Sequence, residues 1–272
     1  MFGKLLKYDF RSMLKQFAFI WPAALVLAVV NRFTLSGLES TSATGETVAG
    51  IAMLVFVAIM IAMFVIAVIF TVQRFYKGLL GDEGYLMHTL PVRPWALIAS
   101  KLVCAVTLTV ISILVAIASI LVIVSPVVDL REIFHVLRWL WDAIRGNSDR
   151  INAFLVLLEI LILILTGMAQ SYLMLYLAMA IGHLFNKNRA AMSVAAYIGI
   201  HVVVSTLLSF TSNIFGDMLG DFLSGLFWGK SGYPVWRSVH MSLWFGIFAV
   251  GIGGAVYFFL TEYILRNKLN LE

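Results

Sequence analysis

Six long apolar runs dominate this chain of 272 residues, at about 17–38, 48–72, 96–124, 151–184, 190–215 and 238–265. A helix needs roughly 20 mostly apolar residues to cross a bilayer, and each run reaches that length. The alternation of apolar and polar residues typical of a barrel strand is absent from them. Only 12% of the residues are charged and 62% are hydrophobic, too few charges to cover a water-soluble domain. The sequence therefore predicts an all-α membrane protein with six transmembrane helices in a single domain over residues 1–272.

The positions of Lys and Arg predict the orientation of these spans. Twelve of the 19 basic residues fall on one side of the alternating spans and seven on the other, where acidic residues partly balance them. Because basic residues concentrate in cytoplasmic loops, both termini are expected in the cytoplasm. A signal peptide at residues 1–35 is the competing interpretation, but a clear small-x-small cleavage site is missing.

Residues 1–16 are expected to form an amphipathic helix along the inner membrane face. Basic residues recur there at three- and four-residue steps, with apolar residues around the rest of the helix. This basic stripe consists of Lys4, Lys7, Arg11 and Lys15. Two interpretations stay open: an ordinary basic flank that sets topology, or a rigid connecting helix that receives motion from a partner.

The segment 213–237 before the last span is apolar but interrupted by five glycines and a proline, which predicts short re-entrant helices. It contains GLFWGKS, which invites comparison with a phosphate-binding loop. That motif needs four residues between its glycines, whereas Gly225 and Gly229 are separated by three and no strand is predicted before them. We therefore expect no nucleotide site on this chain, and any ATP hydrolysis on another polypeptide.

Four polar residues inside the apolar runs are candidates for a translocation path: Glu159, Gln170, Arg32 and Asn31. Glu159 is the one acidic residue well inside a span, about 12 Å from the outer end of its helix. A carboxylate at that depth is costly, so a functional role and a bond to a neighbouring helix are both open. The five histidines are scattered and Cys104 is the single cysteine, so neither a metal site, a disulfide nor a catalytic set is expected.

The loop between the second and third spans carries the most specific pattern. It occurs within RFYKGLLGDEGYLMHTLPVRPWALIASK, from Arg74 to Lys101. Asp82 and Glu83 are suited to the N-terminus of a short helix, which Pro91 would end before Pro94 begins the next element. The loop is thus predicted to contain a short, rigid cytoplasmic helix. The alternative is an inert topological loop.

This stretch resembles the first cytoplasmic loop of ABC type-2 transporter permeases. In that family an acidic residue and Gly open a short coupling helix, and a Thr-Leu or Leu-Leu pair, Pro-Val and a basic residue lead to a Lys of the third span. The matching positions are Glu83-Gly84, Thr89-Leu90, Pro91-Val92, Arg93 and Lys101. His88 with Thr89, and the second proline Pro94, depart from the more usual polar pair. The resemblance implies contact with an ATPase through Gly81, Asp82, Glu83, Gly84, Tyr85, Leu86, Met87, His88, Thr89, Leu90, Pro91 and Arg93.

The resemblance further implies an exporter in which two permease subunits, the same or related, join two copies of a cytoplasmic ABC ATPase. ATP and Mg would bind the ATPase, with no cofactor on this chain, which would itself not be an enzyme. Substrates of similar permeases include antimicrobial peptides, drugs and lipid-linked molecules; nucleic acid is not expected as a partner, and membrane lipids are. A membrane binding or immunity protein that captures a ligand through its external loops, without an ATPase, is the alternative hypothesis.

Overall fold

The computed structural model describes residues 2–36, 43–80, 93–124, 135, 138, 148–185, 188–227 and 235–267. Over these residues the chain is helical. The helices are α1 (Phe2–Phe17), α2 (Ile20–Ser36), α3 (Ala43–Phe75), α4 (Pro94–Val124), α5 (Ser148–Gly182), α6 (Arg189–Phe227) and α7 (Val235–Asn267). One π-helical turn, Tyr76–Leu80, continues α3.

Five helices of the described chain are long and apolar enough to cross a membrane, in the ranges Gly50–Leu80, Pro94–Val124, Ile151–Gly182, Arg189–Phe210 and Trp236–Asn267. The pair α1 and α2, bent by 40°, makes a sixth if it is counted as one span. The five long helices overlap five of the six predicted apolar runs, and α2 lies within the remaining run, 17–38. The number of spans is five or six, depending on whether α1 and α2 are counted as one span. The 17 residues of α2 extend only about 26 Å at 1.5 Å per residue, slightly less than a hydrocarbon core of about 30 Å.

The packing divides the chain into two compact units, Met1–Lys77 with Pro91–Arg138 and Gly78–Leu90 with Trp139–Glu272. In the first unit α1 and α2 pack against α4, and α3 packs against α2 and α4. A buried apolar cluster joins α1 to α3 and α4, and partly buried residues surround it: Met13, Phe17, Ala67, Cys104 and Leu108, with Leu6, Phe10, Leu14, Trp21 and Phe70. The single domain predicted over residues 1–272 stays a prediction.

The bend between α1 and α2 follows from the sequence at their junction. Pro22, in the first turn of α2, has no backbone N–H, so it cannot donate to the carbonyl of Ala18. On the α2 side, the indole Nε1 of Trp21 donates to Ser112 Oγ of α4 at 3.0 Å. This bond joins the start of α2 to the middle of α4.

In the second unit α5 packs against both α6 and α7. Glu159 of α5 contacts His240 of α7, and Gln170, 11 residues later in α5, lies against Gly253, 13 residues later in α7. Because the contacting residues follow the same order in both helices, α5 and α7 run in the same direction. The end of α5 meets the start of α6 where Gly182 lies against Ser193, so α6 returns antiparallel to α5.

The glycine-rich segment before the last span differs from the expectation in its first part. Instead of breaking into short re-entrant helices, the backbone continues as part of α6 through Phe227. A glycine inside a helix costs about 1 kcal/mol relative to Ala, which weakens a helix without ending it. Residues 228–234, the remainder of the segment before α7, lie outside the described residues.

Candidate functional site

The predicted ATPase-coupling loop lies almost wholly outside the described residues, which resume at Arg93. Arg93 is exposed, and its carbonyl accepts the N–H of Ala96 at 3.0 Å at the start of α4. The coupling roles expected of Gly81 to Pro91 therefore stay predictions. The described candidates are the polar side chains that the helices bury.

The first buried polar cluster, here called the Asp9 cluster, joins three helices of the first unit. Asp9 of α1 is 1% exposed, and its Oδ1 accepts from Arg74 of α3, with Nη2 at 2.9 Å and Nε at 3.2 Å. Lys101 Nζ of α4 lies 3.5 Å from the same oxygen. Ser100 Oγ, also of α4, lies 3.0 Å from Oδ2. One carboxylate thus connects α1 to the end of α3 and to the beginning of α4.

Burial determines how strongly these groups depend on one another. The Lys101 side chain is 2% exposed and the Arg74 side chain 26% exposed. Removing one partner from a buried ion pair leaves a charge without compensation, which is far more costly than losing an exposed pair. Losing Asp9 would therefore leave two cations, one of them almost fully buried, without an acidic partner in this cluster.

The Asp9 cluster was not expected from the sequence, although one signal was present. Asp9 is the only acidic residue of α1, and it lies on the apolar side of a helix whose other charges are basic. A single acid on an apolar face needs a buried cation, but the sequence did not show that Arg74 and Lys101 supply it. The basic stripe itself, Lys4, Lys7, Arg11 and Lys15, is placed on the exposed side of α1.

The second buried polar contact belongs to the second unit and includes a predicted path residue. Glu159 of α5 is 6% exposed, and its Oε2 lies 2.8 Å from His240 Nδ1 of α7. Glu159 therefore has a partner on a neighbouring helix. The scattered positions of the histidines in the sequence gave no indication of His240, because the two residues are 81 positions apart. The other ring nitrogen, Nε2, is buried and has no hydrogen-bond partner among the described residues.

Gln170 lies further along the same pair of helices, on the C-terminal side of Glu159, in a groove of about 350 Å³. A Cβ built on Gly253 would lie only 2.5 Å from Gln170 Nε2, so the amide occupies space that this glycine leaves open. Apart from Thr166, whose hydroxyl donates to carbonyls of its own helix, the groove is otherwise apolar. Its other lining residues are Ala169, Leu173, Val250, Gly251, Gly254, Ala255, Phe258 and Phe259. It can accommodate an apolar group beside one hydrogen-bonding amide.

The remaining path candidates belong to the first unit. Asn31 of α2 is fully buried, and its Nδ2 donates to the carbonyl of Leu27 at 3.1 Å. Its Oδ1 has no partner among the described residues. Arg32, the next residue along α2, is exposed. The structure therefore separates the two in environment although they are adjacent in sequence.

A third polar contact joins the end of α5 to the start of α6, beyond the apolar part of α5. Arg189 Nη1 lies 3.2 Å from His183 Nε2. Burial lowers the pKa of His183, and the positive charge of Arg189 lowers it further, while the backbone of Leu80 acts in the opposite direction. His183 is thus kept neutral to lower pH than an ordinary histidine.

No group of three His, Cys, Asp or Glu side chains suited to a metal ion occurs among the residues that the structure describes. Cys104 is buried and free. The long apolar helices fit the class of multi-pass membrane proteins. Comparison with protein-family models, with curated proteins and with solved structures finds no match to the chain.

Proposed function

We propose that this chain is the permease subunit of an ATP-driven exporter and forms the translocation path for an amphipathic substrate, such as an antimicrobial peptide, a drug or a lipid-linked molecule. The orientation proposed with it places both termini and the loop 81–92 in the cytoplasm of a bacterial cell. The motor would be a cytoplasmic ABC ATPase in two copies, which binds ATP and Mg, and a second permease subunit would complete the path.

The observation that carries the proposal is the position of the Asp9 cluster. Arg74 is in the last turn of α3, and Ser100 and Lys101 are near the start of α4, so these residues stand on either side of the loop that resembles a coupling helix. Asp9 connects both flanks to α1. A force applied to the loop would reach α3 and α4 directly and α1 through buried hydrogen bonds.

The apolar groove beside Gln170 supports the choice of substrate class. An amphipathic molecule needs an apolar surface together with a few hydrogen-bonding groups, and ligand sites commonly combine the two. Glu159 with His240 lies along the same helix pair, closer to the first residues of α5 and α7. These polar groups lie at the contact of α5 with α7, which is where we propose that substrate recognition occurs.

The test is capture of the motor and its loss on changing the loop. The full chain, tagged and extracted from its native membranes, is expected to co-purify with a Walker-type ATPase. Reversal of charge with Glu83→Lys, or deletion of residues 82–88, is expected to abolish that association or its coupled ATP turnover while the chain still inserts in the membrane.

Glu39→Lys is the matched control, since it makes the same charge change in a loop predicted to be on the opposite side of the membrane. Retained ATPase association and unchanged transport in both loop variants would exclude the proposed coupling role. Full transport by the chain reconstituted without any ATPase would exclude the permease assignment itself.

A further inference from the structure

The two faces of α1 have different surroundings. Leu6, Phe10 and Leu14 pack against the apolar cluster that includes Met13 and Phe17. The apolar side of α1 is therefore occupied by its own unit and is not free to insert in lipid as an independent amphipathic helix does. The opposite side, here called the basic face, exposes Lys4, Lys7, Arg11 and Lys15 together with Tyr8, which is 76% exposed.

We infer that the basic face of α1 binds the phosphate headgroups of anionic phospholipids in the leaflet that surrounds it. The inference is independent of the exporter proposal, because it requires only that the adjoining helices cross a membrane. It assigns a ligand to four charged side chains that form no ion pair within the part of the chain that the structure describes.

The connection between α1 and α2 places these charges close to the bilayer surface. Only Ala18 and Phe19 separate the two helices. Where α2 alone crosses the membrane, its length of about 26 Å nearly matches a hydrocarbon core of about 30 Å, so the adjoining end of α1 lies near headgroup level. Phe19 is 83% exposed, as expected of a side chain in contact with acyl chains. Lys15 and Arg11, one and two turns away, then reach the phosphate layer.

The charge balance of α1 favours an external anion. Asp9 is its only acid, and that carboxylate already accepts bonds from Arg74 and Lys101 on the buried side. The basic face therefore has no acidic residue within its own helix to neutralise it. Basic residues near an anionic leaflet each increase binding about fivefold, an electrostatic attraction that salt screens.

An acidic surface on a soluble protein has the same charge complementarity. The lipid is favoured because the exposed aromatic residues, Tyr8 on the face and Phe19 at the junction, match a surface that is polar at one depth and apolar a few ångströms away.

The experiment titrates the purified full-length chain, in uncharged detergent, with phosphatidylglycerol or phosphatidylcholine, and measures bound lipid by native mass spectrometry. The wild type is expected to prefer phosphatidylglycerol, and higher ionic strength is expected to reduce the preference. Lys15→Gln should lower the affinity for phosphatidylglycerol about fivefold. The combined variant K4Q/K7Q/R11Q/K15Q should lose the preference, with little change for phosphatidylcholine.

The matched control is R237Q/R266Q, which removes two exposed cations of α7. The preference for phosphatidylglycerol should survive in this variant. An unchanged preference for phosphatidylglycerol in K15Q and in the combined variant would overturn the inference. An equal loss of that preference in the combined variant and in R237Q/R266Q would also overturn it. So would a combined variant that keeps its lipid preference but loses a co-purifying protein, because the basic face would then be a protein-binding surface. Should the combined variant fail to purify, the single variants R11Q and K15Q decide the matter.

Discussion

Asp9 and Arg74 lie 65 positions apart in the sequence, yet Asp9 Oδ1 accepts two hydrogen bonds from the Arg74 guanidinium, at 2.9 and 3.2 Å. The same carboxylate also contacts Ser100 and Lys101, so one acidic residue connects three helices of its unit. Its position beside the flanks of the loop 81–92 gives α1 a direct mechanical connection to those flanks.

Asp9→Asn is expected to destabilise the protein by about 3–5 kcal/mol, because Lys101 and Arg74 would remain against a neutral amide in a buried site. Chemical unfolding of the detergent-purified chain measures the change. Lys4→Gln serves as the control, since Lys4 is exposed and its loss should change stability by no more than about 0.5 kcal/mol. Equal stabilities of the two variants would show that the Asp9 cluster contributes little.

In the proposed exporter, Glu159→Gln is expected to change the stimulation of ATPase activity by substrate, because an amide replaces the carboxyl group that lies 2.8 Å from His240 Nδ1. A double-mutant cycle with His240→Asn should give a coupling energy of about 0.5–3 kcal/mol in stability, as residues in direct contact do. An unaltered stimulation profile together with a clear coupling energy would assign Glu159 a structural role only. A coupling energy near zero would contradict the contact itself.

Gly182→Ala is expected to separate the end of α5 from the start of α6. A Cβ at Gly182 would lie 2.5 Å from the backbone N of Ser193 and 2.6 Å from its Cα, and a backbone cannot move aside as a flexible side chain can. Overpacking of this kind costs about 1–3 kcal/mol. Thermal unfolding of Gly199→Ala supplies the comparison, because a Cβ at Gly199 of α6 meets nothing within 4 Å. Similar melting temperatures would contradict the close approach at Gly182.

His183 should make the protein less stable in mild acid. Its pKa is lowered in the folded state by burial and by Arg189, so the unfolded chain binds the proton more readily. The stabilising contribution of neutral His183 is therefore complete above the ordinary histidine pKa of about 6.5 and is lost as the pH falls below it toward the lowered value.

The variant His183→Gln should remove that component of the pH dependence. The measurement is the difference in thermal stability between wild type and variant as the pH falls from about 7.5 to about 5.5. His201→Gln, at an exposed position of α6, is the control and should retain the wild-type slope. A parallel pH dependence in wild type and His183→Gln would exclude His183 as the cause.

Sequence and structure agree where local chemistry decides the outcome. Apolar runs of sufficient length predict helices in lipid because the backbone must satisfy its own hydrogen bonds there, and helices occur at the predicted places. The bend near Pro22 follows from a missing backbone donor. The continuation of α6 through the glycine-rich segment was not expected, because glycine lowers helix propensity without indicating whether a helix stops.

The sequence by itself determined the helical class of this protein, the approximate extent of its apolar helices and the amphipathic character of α1, since these depend on residues a few positions apart. Only the tertiary structure decided that Asp9 contacts Arg74 and Lys101, that His240 contacts Glu159 and that Gln170 lies against Gly253. These pairs join helices far apart in the chain, and helical periodicity specifies which side of a helix a residue occupies but not which helix packs against that side.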